Sequence, residues 1–159
     1  MNTRVQLVGS GGSAVTDLAG SLAATLHDRG FQVELCAGYP QARRWLDETC
    51  EGPAAVVVAL DRPDRSSLAL CRELRRVAPW LVIIAISSAV ESRDVVAALE
   101  AGADDCVPRP FHPLEVAARL RAHLRRRTVD GGAPCRRPVP ADRLDPAGGP
   151  GRPRTTDHR

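Results

Sequence analysis

Lysine is absent from this chain, and aromatic residues are scarce. All 22 basic residues are arginine, and the 159 residues include only two Phe, two Trp and one Tyr. A phosphate-binding P-loop needs a lysine that reaches the phosphates of a nucleotide, so the absence of lysine excludes that motif. Because aromatic residues are so few, aliphatic side chains, mostly Ala, Val and Leu, have to form the hydrophobic core.

Long hydrophobic runs and paired cysteines are missing as well. No apolar run approaches the roughly 20 residues of a membrane span, and the start of the chain has no signal-peptide pattern, so the sequence predicts a cytoplasmic protein that does not contact membranes. The five cysteines are widely spaced without a C-x-x-C pair, which favours reduced, buried thiols over disulfides or a zinc site. A net charge of +3 is too small to indicate nucleic-acid binding.

The composition changes near Arg127. Residues 1–127 contain 16 Arg and 15 acidic residues together with recurring apolar patterns, whereas residues 128–159 contain six Pro and five Gly. The second segment has almost nothing to bury and is predicted to be a disordered tail. The predicted domain is therefore residues 1–127.

The apolar run at residues 54–60 is the central element of this domain. It contains only Ala, Val and Leu without polar alternation, as expected for a strand covered on both faces. Ser66 or Ser67 is the predicted N-cap of the helix that follows, and Gly30 is predicted to end the first helix in a left-handed conformation. The other predicted strands are residues 4–8, 31–36, 80–86 and 105–107, and the predicted helices are residues 14–29, 40–48, 66–77, 92–101 and 113–127. Five strands alternating with five helices predict a doubly wound α/β domain with a parallel sheet.

The segment from Leu99 to Glu115 carries a specific motif. It reads L-E-A-G-A-D-D-C-V-P-R-P-F-H-P-L-E and resembles the end of the bacterial response-regulator receiver domain, whose pattern is L-E-x-G-A-D-D-Y-x-x-K-P-F-x-x-x-E. Together with the third and fourth strands, the resemblance covers about residues 5–127. It implies a flavodoxin-like, CheY-like (βα)5 fold with strand order 2-1-3-4-5.

The resemblance also implies a phosphorylation site, and this sequence lacks its acidic residues. Receivers phosphorylate an aspartate at the tip of strand three, and they hold Mg²⁺ with that aspartate and two acids after strand one. Ala59 occupies the phosphoacceptor position, and Gly9 and Ser10 occupy the two acid positions. We therefore predict no catalytic residue, metal ligand or cofactor. Asp61, the nearest carboxylate, is interpreted either as a displaced acceptor or as a turn residue.

Other positions of the receiver switch are kept or altered. Ser87 matches the hydroxyl that senses the phosphoryl group, and it equally fits an ordinary hydroxyl at a strand end. Arg109 stands where the family has a lysine, and a lysine-to-arginine exchange is not neutral at a site that uses a point charge. Pro110 follows it, and the resemblance implies a cis bond there. Cys106 replaces the aromatic residue of the switch, so the resemblance points to a pseudo-receiver.

The altered crevice supports a first alternative, a sensor of a small acidic ligand. Backbone N–H groups at Gly11 and Gly12, the Ser87 hydroxyl and the Arg109 guanidinium are the ingredients of an anion site. A filled and inert pocket is compatible with the same residues.

The first turn supports a second alternative, a Rossmann-like nucleotide-binding protein. Gly9-x-Gly11-x-x-Ala14 matches the dinucleotide fingerprint, and Glu34 lies 20 residues beyond Ala14. No substrate domain or catalytic constellation accompanies this turn.

Five charged residues match the OmpR-like, winged-helix class of response regulators. In that class they form charge pairs across a two-fold dimer of the fourth helix, fifth strand and fifth helix, which implies a homodimer or a contact with another response regulator. An i,i+4 pair on a solvated helix face accounts for the same charges equally well. The residues are Asp104, Asp105, Glu115, Arg119 and Arg126.

The sequence therefore predicts a non-enzymatic receiver-like domain that acts in signalling or transcriptional control without aspartate phosphorylation, through protein-protein contacts. The chain after Arg127 has no amphipathic pattern from which a winged helix could form, so contact with DNA is predicted only through other proteins.

Overall fold

Five strands form the sheet of the domain. The computed structural model describes residues 3–9, 13–38, 40–42, 44, 54–60, 65–88 and 91–129. The strands are β1 (Thr3–Gly9), β2 (Phe31–Ala37), β3 (Ala55–Leu60), β4 (Val82–Ser87) and β5 (Asp105–Pro108). They pair in parallel in the order β2-β1-β3-β4-β5. The predicted flavodoxin-like fold and strand order are confirmed.

The helices connect successive strands and cover the sheet. They are α1 (Ser13–Asp28), α2, which is described only at residues 40–42 and 44, α3 (Arg65–Val77), α4 (Ser92–Glu100) and α5 (Pro113–Val129). α5 continues two residues past the predicted domain boundary at Arg127, and the rest of the predicted tail lies outside the described residues. No helix in the described ranges is both long enough and apolar enough to cross a membrane.

The sheet separates two hydrophobic clusters. On one face, Val56 and Val58 of β3 pack with buried residues of α3 and α4. On the other face, Ala55 and Val57 pack with buried residues of α1 and α5. Side chains alternate between the faces of a strand, so β3, which lies in the middle of the sheet, contributes to both clusters. This confirms the prediction of a strand covered on both sides.

The ends of several elements differ from the predictions. α3 begins at Arg65, so the predicted N-cap at Ser66 or Ser67 is wrong, and Ser67 is a buried residue inside the first turn. β4 begins at Val82 rather than Trp80, because Trp80 lies in the turn after α3. Gly30 has φ +83°, which confirms the left-handed end of α1.

Candidate functional site

The carboxyl ends of three neighbouring strands meet at one edge of the sheet, where ligands bind in open α/β folds. Leu60 pairs with Ser87 in the β3–β4 register, and Ser87 pairs with Pro108 in the β4–β5 register. The backbone N–H of Arg109 donates a hydrogen bond of 2.8 Å to the carbonyl oxygen of Ser87. The structure therefore brings Ala59, Ser87 and Arg109 to neighbouring positions.

Ala59 lies at the tip of β3, where the resemblance places the phosphoacceptor. It is the one residue of β3 that is partly exposed, since the other five are buried. Gly9 is the last residue of β1, and the β1–β3 register extends to the pair of Val8 and Val58, which makes Gly9 and Ala59 neighbours. The edge thus presents a glycine and a methyl group where the resemblance implies carboxylates.

Ser87 and Arg109 frame the other side of this edge. Ser87 is fully buried at the end of β4, while Arg109 is half-buried and directly follows β5. Both residues take part in further polar or electrostatic interactions. The Arg109-Pro110 bond is cis, as the resemblance implies.

Cys106 lies in β5 and faces the cluster that contains α4. It is 8% exposed, and burial raises the pKa of its thiol above the ordinary value, with smaller contributions from the carboxylates of Asp105 and Asp94. The position that carries a mobile aromatic ring in the family's switch therefore holds a small, neutral side chain. Cys36 and Cys71 are likewise buried and free.

Part of the predicted site lies outside the described residues, namely Ser10, Gly11, Gly12 and Asp61. The anion site at Gly11, Gly12, Ser87 and Arg109 therefore stays a prediction, and so does a displaced phosphoacceptor at Asp61. Among the residues that the structure describes, no group of three or more His, Cys, Asp or Glu side chains could hold a metal ion.

Glu34, the acidic residue of the dinucleotide hypothesis, lies in the middle of β2. Its Oε1 accepts a hydrogen bond of 3.0 Å from Nη2 of Arg4 on the neighbouring strand. In a dinucleotide-binding domain, the acidic residue that binds the ribose has to reach the crevice beyond the carboxyl ends of the strands. The observed pairing of Glu34 with Arg4 does not favour that role.

Asp104, the first residue of the predicted dimer face, is held within its own chain at the opposite end of the sheet. Its Oδ2 accepts hydrogen bonds of 2.8 Å from the backbone N–H of Ile83 and from Nη2 of Arg75. Its Oδ1 accepts one of 2.8 Å from Nη2 of Arg127. Arg75 also donates hydrogen bonds to the carbonyl oxygen of Gly102. Asp104 therefore joins α3, β4 and α5.

Asp105, Glu115 and Arg119 form a cluster on the surface of β5 and α5. Nη1 of Arg119 lies 3.1 Å from Oδ2 of Asp105, and Nη2 of Arg119 lies 2.9 Å from Oε1 of Glu115. These hydrogen bonds raise the pKa of the Arg119 guanidinium above its ordinary value, and the bond with Glu115 contributes more than the bond with Asp105. Nε2 of His123 lies 3.3 Å from the same Oδ2 of Asp105. Arg126, the fifth predicted residue of the face, is exposed in the last turn of α5.

Sequence reasoning missed two members of these networks. Arg75 lies in the middle of α3, and its role depends on contacts with segments that are distant in the chain. His123 lies one turn after Arg119 on α5, so the i,i+4 spacing with Arg119 was the available signal. The distinct roles of the adjacent residues Asp104 and Asp105 could not be read from the sequence, because one side chain is turned to α3 and the other to the surface of α5.

Large apolar side chains are exposed beside β5. Among the described residues, Val96 and Leu99 of α4 and Leu114 of α5 are three of the four large hydrophobic residues that are exposed. β5 is an edge strand, and its Cys106 and Val107 pack toward α4 and α5 respectively. We call the surface formed by α4, β5 and α5 the β5 face.

Comparison with known proteins agrees with this fold. A receiver domain protein (CheY-like) from Methanospirillum hungatei has a TM-score of 0.71 at 19% identity, over 82% of this chain and all of that one (100%). HP1043, an orphan response regulator of H. pylori, has a TM-score of 0.65 at 23% identity, over 77% of this chain and 96% of that one. At these identities the likeness concerns the fold.

Relatives found by sequence similarity share more of their sequence with this chain than these solved structures do. Response regulator MprA of Mycolicibacterium vanbaalenii is 40% identical over 114 residues, which cover 71% of this chain and 48% of the relative. The MprA of a Mycobacterium species (strain KMS) is 38% identical over 113 residues, which cover 70% and 48%. The chain thus spans about half the length of the curated relatives it matches.

The family model "Response regulator receiver domain" matches residues 16–121. This match covers most of the described domain, from α1 to the middle of α5. With the strand order and the MprA relatives, it leads to one conclusion: the chain belongs to the response regulator receiver domain family of two-component signalling.

Proposed function

We propose that this chain is an atypical, non-enzymatic receiver domain that signals without phosphorylation of an aspartate, through protein-protein contacts of the β5 face. The observation that carries the proposal is Ala59 at the tip of β3. A methyl group has no oxygen with which to accept a phosphoryl group. Gly9 and Ser10 supply no carboxylate either, and a hard cation such as Mg²⁺ prefers carboxylate and other oxygen ligands.

The shape and charge of the β5 face support the second half of the proposal. Val96, Leu99 and Leu114 expose apolar surface, which marks interaction sites when it is contiguous and bordered by polar groups. α4 with its N-cap has an acidic excess, since it carries Arg93 and the acids Glu91, Asp94 and Glu100. α5 has a basic excess; its arginines are Arg119, Arg121, Arg125, Arg126 and Arg127.

A surface with an acidic helix on one side and a basic helix on the other is self-complementary. A two-fold axis that runs along β5 brings α4 of one copy against α5 of the other, and opposite charges then meet twice. Such an isologous contact closes as a C₂ dimer. Another response regulator with the same charge distribution fits this face in the same way.

Treatment with Mg²⁺ and acetyl phosphate tests the phosphorylation half. Intact-mass spectrometry is expected to find no phosphorylated chain under conditions that phosphorylate a receiver with all three acids, which serves as the positive control. Beryllofluoride, which mimics the phosphoryl group, should leave the backbone amide resonances of Ser87 and Arg109 unmoved.

Two outcomes separate the parts of this proposal. A stable acyl-phosphate that disappears in Asp61→Asn would show that the acceptor has moved to that residue, and the claim of phosphorylation independence would be wrong. Sedimentation of the untreated protein tests the contact: we expect self-association without any phosphodonor, and a monomer at high concentration would contradict the proposed dimer.

A further inference from the structure

Gln6 and Cys36 form a buried polar pair between β1 and β2. Gln6 lies in the middle of β1 and is fully buried. Its Nε2 donates a hydrogen bond of 2.8 Å to Sγ of Cys36 on the neighbouring strand. Cys36 is 8% exposed and packs in the same hydrophobic cluster as Ala42 of α2. The pair lies at the β2 edge of the sheet, whereas the β5 face lies at the opposite edge.

The carboxamide of Gln6 has one polar atom more than the Cys36 thiol satisfies. Its Oε1 is buried and has no hydrogen-bond partner within the part of the chain that the structure describes. If the carboxamide is turned over, the oxygen faces the sulfur and the nitrogen loses its partner instead, so the excess remains in either orientation. A buried polar group without a partner costs free energy. A polar atom added at the sulfur would supply the missing partner.

This contact distinguishes Cys36 from Cys71 and Cys106. Among the described residues, neither of those two sulfurs receives a side-chain hydrogen bond. Burial raises the pKa of the Cys36 thiol and the carboxylate of Glu34 adds to the rise, whereas the hydrogen bond from Gln6 acts in the opposite direction. The thiolate is the reactive form of a cysteine. Its fraction is small at neutral pH, so reactions of Cys36 are slow, but its thiolate has a hydrogen-bond donor in place.

We propose that Cys36 is a site of oxidation by hydroperoxides and that Gln6 holds the resulting sulfenic acid. The thiolate sulfur attacks one oxygen of hydrogen peroxide, the O–O bond breaks and an S–O bond forms. The leaving hydroxide takes up the proton that the thiol released, which gives water and the sulfenic acid; the sulfur loses two electrons and the peroxide gains them. The new hydroxyl group donates a hydrogen bond to Oε1 of Gln6, while Nε2 keeps its contact with the oxidised group.

The burial of Cys36 also preserves this product. A sulfenic acid is lost when it condenses with a second thiol or is oxidised further. The first reaction requires another sulfur to reach a side chain that is 8% exposed. Hydrogen peroxide is much smaller than a protein thiol group with its backbone, and Cys36 lies next to the last residue of an edge strand. The site therefore admits a small oxidant more readily than a second cysteine.

Treatment of the full chain with millimolar hydrogen peroxide tests the proposal. Catalase stops the reaction, the chain is denatured in the presence of dimedone, which labels sulfenic acids, and peptide mass spectrometry measures the label at each cysteine. The label at Cys36 is expected to exceed that at Cys71 or Cys106 by about fivefold or more, because oxidation follows thiolate character and exposure. Dithiothreitol added before the dimedone should remove it, since a sulfenic acid is reducible.

Two leucine variants test the part of Gln6. Gln6→Leu removes the carboxamide and keeps a side chain of similar size, and it should lower the label at Cys36 by about fivefold to tenfold, the factor that corresponds to one hydrogen bond. Gln32→Leu makes the same substitution at an exposed position of β2 and should leave the label within about twofold of the wild type. Melting curves establish that both variants are folded.

The possible outcomes separate the two halves of the proposal. Equal or weaker labelling of Cys36 than of Cys71 and Cys106 in the wild type would overturn the oxidation site, and this measurement does not depend on a variant. Unchanged labelling in a folded Gln6→Leu would overturn the role of Gln6. A disulfide between Cys36 and another cysteine, in place of the dimedone label, would show that the sulfenic acid is not held.

Discussion

The guanidinium of Arg75 and the carboxylate of Asp104 are paired at 2.8 Å at the end of the sheet opposite the candidate site. The two side chains are 26% and 21% exposed. Arg75 also donates hydrogen bonds to the carbonyl oxygens of Pro79 and Leu81, so its donors are well satisfied. Within its own chain Asp104 therefore joins α3, β4 and α5, and its contact with a second copy stays a prediction.

Asp104→Asn should lower the free energy of unfolding by about 1–3 kcal/mol, because hydrogen bonds to charged groups contribute more than neutral ones and removal of one partner leaves a half-buried cation without compensation. The one oxygen of the asparagine side chain can still accept from Ile83 and Arg75, as Oδ2 of Asp104 does, but the amide nitrogen cannot accept the hydrogen bond from Arg127. Urea denaturation monitored by circular dichroism measures the change.

Glu91→Gln is the matched control for that variant. Glu91 pairs with Arg93 at 2.7 Å, but the two side chains are 62% and 78% exposed. Exposed ion pairs contribute little, so this change should stay within about 0.5 kcal/mol of the wild type. If Asp104→Asn lowered the free energy of unfolding no more than Glu91→Gln does, the hydrogen bonds of Asp104 would not stabilise the fold.

Gly102→Ala should destabilise the protein, because a side chain at this position meets both a conformational and a spatial obstacle. Gly102 has φ +108°, and an added Cβ would lie 2.8 Å from Cβ of Arg75. The expected loss is about 1–3 kcal/mol in the free energy of unfolding. Thermal and urea denaturation of the purified variant would measure it.

Gly20→Ala gives the opposite sign and serves as the control. Gly20 lies inside α1 with nothing within 4 Å of an added Cβ. Glycine in a helix interior costs about 0.5–1 kcal/mol relative to alanine, so this variant should gain stability by that amount. If Gly20→Ala also lowered the free energy of unfolding, the difference between the conformation and surroundings of Gly20 and those of Gly102 would not explain the loss at Gly102.

The fold was largely predictable because the apolar runs are long and uninterrupted. Residues 54–60 contain no polar side chain that could face water, so a strand covered on both faces was expected, and β3 is buried on both faces. The neighbours of each strand are not encoded in such runs, and the strand order came from the family motif. The N-cap at Ser66 or Ser67 was wrong since a serine is also tolerated inside a helix, where Ser67 is buried.

The candidate site was predictable where it depends on strand ends. Ala59 is the penultimate residue of β3, Ser87 ends β4 and Arg109 follows β5. Parallel strands end on one edge, so the proximity of the three residues followed from the topology. The side-chain networks were not predictable, because they depend on which way a side chain turns at a loop. Asp104 and Asp105 are adjacent in sequence, yet one joins α3 to α5 and the other joins Arg119 and His123 at the surface.

Arg119→Glu should weaken self-association through the β5 face by about tenfold or more, because like charges placed across an interface cost several kcal/mol. Arg119 is 43% exposed and lies between Asp105 and Glu115, so the reversal places a third acidic side chain beside these two. Sedimentation equilibrium over a range of protein concentrations gives the association constants, and a melting curve establishes that the variant is folded.

Arg72→Glu makes the same charge reversal on an exposed position of α3, away from the β5 face. It should leave the association constant unchanged within about twofold, since exposed charges separated by more than a Debye length are largely screened. Equal weakening by both variants would point to net charge rather than to a specific contact.

Cys71 should make the stability of the domain depend on pH in the alkaline range. Burial raises the pKa of its thiol from 9.0 to about 11, with a further contribution from Cys106, and the residue has no exposed surface. Because the folded-state pKa is the higher one, the contribution to stability is complete below pH 9 and is lost as the pH rises toward 11.

Urea denaturation between pH 8 and pH 10 measures this loss, which should be on the order of 1 kcal/mol for Cys71 alone. Cys36 and Cys106 also have raised pKa values, so the wild type includes their contributions, and the difference between the wild type and Cys71→Ala isolates that of Cys71. The variant will be less stable at every pH because it creates a cavity in the core, but its stability should fall less steeply above pH 9. If the stability of the two proteins fell equally steeply with pH, the Cys71 thiol would have the same pKa in the folded and unfolded states. The raised pKa of the buried thiol would then be wrong.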